Sequence, residues 1–94
     1  MHSIVTAMHV NIAAYKFVSL DNLEELRPQY QALCNELDLK GTVLLTPEGI
    51  NMFVSGPREH IDQYLAWVRS DARLADLEVK ESLSTEQSHR RMLV

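Results

Sequence analysis

The segment from Gly41 to Gly56 constrains the fold more than any other, because it reads as a β-hairpin. Two largely apolar runs, at 43–45 and 50–54, flank the turn sequence Thr-Pro-Glu-Gly. Proline presets φ for an early turn position, and glycine tolerates the positive φ that a later position needs. A hairpin is the local nucleus of a sheet, so the segments on either side are expected to pair with it or pack on it.

The segment Val10–Val18 reads as a strand with two apolar faces. Ile12 and Ala14 share one face, whereas Tyr15 and Phe17 share the other, because side chains alternate along a strand. A strand that is apolar on both faces is expected in the middle of a sheet.

Helical periodicity is present both before and after the hairpin. The first apolar stripe has spacings of three and four and consists of Leu23, Leu26, Tyr30, Leu33 and Leu37. Pro28 interrupts it and predicts a kink, or a short turn followed by a helix that restarts near this proline. Pro57 is suited to the first turn of a second helix. The apolar face of that helix consists of Ile61, Tyr64, Leu65 and Val68.

A last strand is predicted from Leu74 to Leu83, with one polar face that is typical of a sheet edge. The order strand, helix, strand, strand, helix, strand is the split βαβ arrangement of ferredoxin-like and acylphosphatase-like domains. The predicted fold is therefore an α+β sandwich, a four-stranded antiparallel sheet with two helices on one face. We assign residues 1–9 to an N-terminal leader, 10–83 to the ferredoxin-like domain, and 84–94 to a linker or the start of the next element.

The second face of the predicted sheet has no helix to cover it. It would carry apolar side chains, among them Ala13, Tyr15, Phe17 and Phe53. An uncovered apolar face of that size usually meets a partner. The sequence therefore predicts an interaction surface, and a free-standing interaction module that dimerises through this face is one alternative for its function.

Composition narrows the class of protein. Ninety-four residues make one domain, and the formal charge of −4 argues mildly against a domain that binds RNA by itself. No segment has the roughly 20 apolar residues of a membrane span, and the first residues lack the pattern of a signal peptide. The single cysteine excludes an internal disulfide. The cytoplasm is the expected location, with no membrane partner.

Neither Cys34 nor the histidines show a pattern typical of a catalytic or metal-binding site. Cys34 lies late in the first predicted helix, where the helix dipole disfavours a thiolate, so we interpret it as a core residue. The four histidines are scattered without the paired spacing of a metal site. We predict no catalytic residue, no metal and no cofactor.

The hairpin turn holds the best candidate binding residues. Glu48, Gly49 and Asn51 are presented together at one end of the sheet. The simpler interpretation is that Glu48 is a solvated turn residue and that the Asn51 side chain bonds to the turn backbone. Arg58 and the pair Arg90-Arg91 are candidate RNA contacts, with a solvated helix face as the simpler interpretation for Arg58.

A small acylphosphatase-like enzyme is the disfavoured alternative. Such an enzyme holds the acyl phosphate with a glycine-rich loop and an arginine after the first strand. Here that loop is Val-Ser-Leu-Asp-Asn at 18–22, with no glycine and no arginine. The class of fold does not by itself imply the activity.

Three stretches carry a resemblance to a known family: Asn11–Val18, Lys40–Asn51 with its Glu-Gly-Ile-Asn turn, and Asp76–Ser82. Together they resemble the N-terminal domain of the rhodanese-like tRNA uridine hydroxylases, also described as rhodanese-type sulfurtransferases, over about residues 10–94. The resemblance implies an acylphosphatase-like domain joined to a downstream rhodanese domain. It also implies a role in oxygen-dependent hydroxylation of the wobble uridine of certain tRNAs at carbon 5.

Two departures from that family accompany the resemblance. Many members have glycine after Glu-Gly-Ile-Asn, whereas this chain has Met52, which indicates a sub-branch. The family's catalytic cysteine belongs to the rhodanese domain, which is absent from these residues, and Cys34 does not take its role. The resemblance thus implies a non-catalytic domain, a fragment or a stand-alone relative, that docks on the catalytic domain or positions tRNA.

Overall fold

The computed structural model describes residues 9–85 and 91–94, which build a five-stranded sheet with two helices on one face. The strands are β1 (His9–Phe17), β2 (Lys40–Thr46), β3 (Gly49–Gly56), β4 (Lys80–Ser84) and β5 (Met92–Leu93), and the helices are α1 (Leu23–Glu36) and α2 (Arg58–Arg69). Their order across the sheet is β4-β1-β3-β2-β5. The predicted α+β ferredoxin-like class is confirmed, but the predicted count of four strands is one too low.

The additional strand is β5, which lies beside β2 and runs parallel to it. Met92 pairs with Gly41 and Leu93 with Thr42, and the Gly41 N–H donates to the Arg91 carbonyl over 2.9 Å. The sheet is therefore not purely antiparallel. Part of the segment that the sequence assigns to a linker or a new element thus belongs to this sheet, whereas the domain boundaries as a whole stay a prediction.

The hairpin forms as predicted. Its strands pair from Lys40 with Ser55 to Thr46 with Gly49, which leaves a two-residue loop. Gly49 has φ +155°, and a Cβ at this position would lie 2.1 Å from the Lys16 carbonyl oxygen of β1. Only glycine allows β3 to approach β1 so closely at the turn.

β1 is an interior strand of the sheet, between β3 and β4. Ile12 and Ala14 are buried beneath the helices, whereas Tyr15 and Phe17 are exposed on the opposite face. The predicted alternation of the two faces is therefore confirmed.

The helix α1 runs without interruption through Pro28. The predicted alternative of a short turn followed by a helix that restarts near Pro28 is therefore wrong. Proline removes the donor that the Glu24 carbonyl would otherwise receive. Glu24 and Pro28 are both exposed, so the Glu24 carbonyl faces solvent and the missing donor does not end the helix. Its N-cap is Asn22, which makes no side-chain capping bond.

The two helices meet over an aromatic cluster above the sheet. The ring centroids of Tyr30 and Trp67 are 4.8 Å apart, and those of Tyr30 and Tyr64 are 6.3 Å apart, both edge to face. Burial raises the pKa of both tyrosines. Met52 lies beneath them, 2% exposed, and accepts a hydrogen bond at its sulfur from the Tyr64 hydroxyl over 3.5 Å. The unusual residue after Glu-Gly-Ile-Asn is therefore a core residue.

The last predicted strand begins later than expected. Residues Ala72–Leu74 form a 3₁₀ turn, and β4 starts only at Lys80, although its predicted place at a sheet edge is confirmed. Side chains bind carbonyls of the chain before β4: Arg69 donates to the Leu77 oxygen over 2.8 Å, and Lys16 donates to the Arg73 oxygen, within the 3₁₀ turn, over 2.9 Å. The bond from Arg69 therefore takes the place of a ladder bond at Leu77 that a longer strand would make.

Candidate functional site

The sheet face that no helix or strand of residues 9–85 and 91–94 covers, hereafter the open face, is the most conspicuous feature of the described surface. Its outward side chains, fixed by the register of the strands, are Ala13, Tyr15, Phe17, Thr42, Leu44, Asn51, Phe53, Lys80 and Leu93. Tyr15 is 61% exposed, Phe17 76% and Phe53 41%. Toward the other end of the strands the same face is closed, because Asn11 and Ser55 are buried. The exposed apolar area thus lies at the hairpin-turn end.

Two of the three lysines within the described strands lie on the open face, whereas Lys16 lies on the helix side. Lys40 and Lys80 lie at the two margins of the open face, and Lys40 Nζ is 3.0 Å from an Asp38 carboxylate oxygen. Glu81 is the one acidic residue within the strands of the described chain, and it lies on the helix side, bound to Arg58. The open face therefore carries no strand carboxylate in the described ranges, although the chain has a net charge of −4.

A cleft of about 240 Å³ lies beside the hairpin turn on this face. The predicted residues Glu48, Gly49 and Asn51 all line it, together with the rings of Tyr15 and Phe17. These two rings pack edge to face, with centroids 5.1 Å apart. The structure thus brings the turn residues to the aromatic part of the open face, whereas their role in binding stays a prediction.

A second and larger cleft, of about 880 Å³, lies where the chain before β4 diverges from β1. Tyr15 and Asn51 line this cleft as well, opposite Leu77 and Val79, with Lys80 at its margin. Tyr15 and Asn51 are directly opposite each other in the β1–β3 register. They form the ridge between the two clefts.

The loop after β1 is not arranged to hold a phosphate. The Val18 N–H donates to the Glu48 carbonyl over 3.0 Å, and the Leu20 N–H donates to the Pro47 carbonyl over 3.2 Å. The hairpin turn thus occupies two backbone donors that an anion would need. Asp21, Glu24 and Glu25 add negative charge around the same loop.

The other predicted contacts lie apart from the turn. Arg58 forms a bidentate ion pair with Glu81, with both N–O distances 3.0 Å, so an RNA phosphate there would compete with that pair. Arg91 is exposed beside β5, and Arg90 lies outside the described residues. An RNA contact at these three arginines stays a prediction.

Arg73 is a structural residue that the sequence did not single out. Its guanidinium forms an ion pair with Asp71 over 2.7 Å and donates to the Asn22 side-chain oxygen over 3.1 Å. The hydrogen bond from Arg73 lowers the pKa of Asp71. Arg73 therefore ties the 3₁₀ turn to the start of α1. The sequence signal for this role is an aspartate that can cap a turn two residues before an arginine, as Asp71 does here.

Cys34 is fully buried, and burial raises the pKa of its thiol to about 12. The interpretation of Cys34 as a core residue is thus supported by its place between the helix and the sheet. Within residues 9–85 and 91–94, no group of three or more histidine, cysteine or acidic side chains could hold a metal ion. In the same ranges, no helix has the length and apolar character needed to cross a membrane.

Residues 9–94 match the model of the UPF0176 acylphosphatase like domain. The chain is 60% identical over 85 residues to the tRNA uridine(34) hydroxylase of Cupriavidus pinatubonensis, and 61% identical over 85 residues to that of Ralstonia nicotianae. Each match covers 90% of this chain and 30% of the relative, so the chain spans about a third of the length of these proteins. Acylphosphatase from Bacillus subtilis is similar in fold, with a TM-score of 0.66 at 16% identity over 93% of this chain and 97% of that one.

Proposed function

The chain belongs to the family of UPF0176 acylphosphatase-like domains, and on that premise we propose that it is a non-catalytic domain of a tRNA-modifying enzyme. Relatives named tRNA uridine(34) hydroxylase support the reaction class, namely hydroxylation of the wobble uridine. A downstream rhodanese domain is the proposed catalytic partner, tRNA is the proposed substrate, and the cytoplasm is the expected location. The domain contributes by docking on the catalytic domain or by positioning tRNA.

The open face is the observation that supports this role best. A sheet face with exposed Tyr15, Phe17 and Phe53 is built for contact rather than for chemistry, since exposed apolar patches mark interaction sites. Cys34 is not an activated nucleophile, because it is buried and its thiol has a raised pKa. The catalytic chemistry of the reaction is therefore assigned to the rest of a longer protein.

A deletion in a full-length relative tests the role. In a strain that lacks its own hydroxylase, the Cupriavidus pinatubonensis protein would be expressed intact and without the region matched by this chain. We expect 5-hydroxylated uridine, measured by mass spectrometry of digested tRNA, to fall strongly on deletion. Unchanged hydroxylation by a truncated protein of equal abundance would overturn the proposal.

A free-standing dimerisation module is the second candidate, and the exposed rings of the open face favour it. Sedimentation of the 10.8 kDa chain tests it, since a dimer through this face would have twice that mass. The Tyr15→Lys variant would then be monomeric. A strict monomer at high concentration would exclude this alternative.

An acylphosphatase activity is disfavoured by the loop after β1, where the carbonyls of Pro47 and Glu48 take the N–H groups of Leu20 and Val18. We expect no hydrolysis of benzoyl phosphate by the pure chain. Turnover above the spontaneous rate would revive this alternative.

A further inference from the structure

We propose that the open face binds an unpaired RNA nucleobase, which stacks on Tyr15 or Phe17 while the Asn51 amide bonds its edge. This inference rests on the proposed function, because that function makes tRNA the substrate. It goes further by naming the part of the nucleic acid that is bound and the residues that bind it.

The first support is the arrangement of the rings. Tyr15 and Phe17 are 61% and 76% exposed, and their planes are 79° apart. A base that stacks on one ring therefore meets the other ring edge-on, which gives it two contacts of different geometry. Stacking on aromatic side chains is the usual way in which proteins hold unpaired bases.

The second support is the position of Asn51. It faces Tyr15 across the β1–β3 ladder and Leu44 across the β2–β3 ladder, so its amide stands in the middle of the apolar area. Among the described residues, this exposed amide has no side-chain hydrogen-bond partner. A carboxamide offers one acceptor and two donors, the pattern needed to bond the edge of a base.

The third support is charge. Lys40 and Lys80 lie at the margins of the open face, and the described strands place no carboxylate on it. The nearby acids lie outside the strands: Glu48 and Glu78 line the two clefts, and Asp38 is paired with Lys40. Two cations attract a phosphate backbone only weakly, so stacking rather than charge would supply most of the affinity.

A protein partner fits the centre of this surface less well. An apolar protein surface seated on Tyr15 and Phe17 would also bury the Asn51 amide, and a buried amide without a partner costs free energy. A nucleobase can form hydrogen bonds with the Asn51 amide and stack on an aromatic ring at the same time. The observations therefore favour RNA over a second copy of the chain.

The test uses the 94-residue chain and a fluorescein-labelled single-stranded RNA of about seven nucleotides, with the matching duplex as a control. We expect the single strand to bind and the duplex not to bind, as measured by fluorescence anisotropy. In ¹H–¹⁵N spectra, the single strand should shift the amides of 13–17 and 51–53 and the Asn51 side chain. With two phosphate contacts, log K should fall against log salt with a slope of about −1.4.

Variants locate the site. The Tyr15→Ala/Phe17→Ala pair should weaken binding about tenfold or more, and Asn51→Ala should weaken it several-fold. Leu83→Ala is the matched control, because Leu83 is 58% exposed but pairs with buried Val10 on the other face of the sheet, and it should bind as the parent does. All these side chains except Val10 are exposed, so the variants should fold, which circular dichroism verifies.

Three results would overturn the inference: no binding of single-stranded RNA, binding that the aromatic and Asn51 variants leave unchanged, or self-association that occupies the same amides and excludes RNA. These outcomes differ from failure of the proposed function. If the deletion abolishes hydroxylation while Asn51→Ala and Tyr15→Ala/Phe17→Ala leave RNA affinity unchanged, the domain has its role but the base site is wrong.

Discussion

Leu44 and Leu45 are neighbours in β2, and they summarise the difference between the two faces of the sheet. Leu45 is 1% exposed beneath the helices, whereas Leu44 is 55% exposed on the open face. The same side chain thus stabilises the core at one position and remains available to a partner at the next. The period of two in a strand allows one short sequence to do both.

The comparison extends across the central strands. On the covered face, β1 and β3 contribute Ile12, Ile50, Met52 and Val54, all buried. On the open face the same strands contribute aromatic rings and an amide. We therefore expect substitutions on the covered face to change stability, and those on the open face to change binding.

The largest difference is expected in thiol reactivity. With a pKa of about 12, only about one Cys34 thiol in 10⁴ is ionised at pH 8, and the side chain is also closed to solvent. Alkylation by iodoacetamide at pH 8 should be on the order of a thousandfold slower than in a Cys34→Ala/Leu44→Cys variant. Mass spectrometry measures both rates. Equal rates would show that the covered face is open to solvent.

Next in size is the effect of shortening the two leucines. Leu45→Ala should lower the free energy of unfolding by about 2–5 kcal/mol, because it leaves a cavity in the core. Leu44→Ala should change it by less than about 0.5 kcal/mol. Urea denaturation followed by circular dichroism gives both values. If Leu44→Ala were as destabilising as Leu45→Ala, the open face would already be packed within the monomer.

A smaller loss of stability is expected from a substitution in the backbone of the sheet itself, at Gly49. At Gly49 an added Cβ meets the Lys16 carbonyl at a positive φ, so Gly49→Ala should cost about 2 kcal/mol. Gly56→Ala is the matched control, because its Cβ would meet the end of the Leu39 side chain rather than a backbone carbonyl. We expect a smaller loss there. A harmless Gly49→Ala would contradict the close approach of β3 to β1.

The smallest effect on stability is expected from the ion pair between Arg73 and Asp71, on the helix side of the sheet. Arg73 lowers the pKa of Asp71 below its usual 3.8, so the pair stabilises the fold above that pH and loses its contribution as pH falls through the folded-state value. Arg73→Met should cost up to about 1 kcal/mol at pH 7 and progressively less below about pH 4, as urea denaturation would measure. Arg27→Met is the control, because Arg27 donates to the Leu45 carbonyl, and its effect should not follow that pH dependence.

The sequence predicted the parts of this fold that periodicity determines. Alternation along 10–18 and the turn chemistry of 46–49 are local properties, so β1 and the hairpin were predicted correctly. β5 was missed because two residues carry no period, and only the neighbouring Gly41 and Thr42 make them a strand. Residues 74–79 were predicted as strand because no local pattern shows that the Arg69 side chain binds the Leu77 carbonyl within this segment.

The candidate site was predicted in part for the same reason. Glu48, Gly49 and Asn51 were identified from the turn itself. Their neighbours Tyr15 and Phe17 are more than thirty residues earlier, and only the β1–β3 register brings them to the same cleft. Register is a tertiary property, so single-residue patterns do not reveal it.

The strand order also has a consequence for synthesis of the protein. Strands β2 and β3 pair across two residues, but β1 and β4 pair between residues 67 to 75 positions apart, and β2 and β5 pair 51 positions apart. During translation the hairpin and β1 emerge long before either flanking strand. The nascent sheet therefore exposes the outer edges of β1 and β2, which are the edges that invite pairing with other chains. Two residues at β5 serve to close the second of those edges.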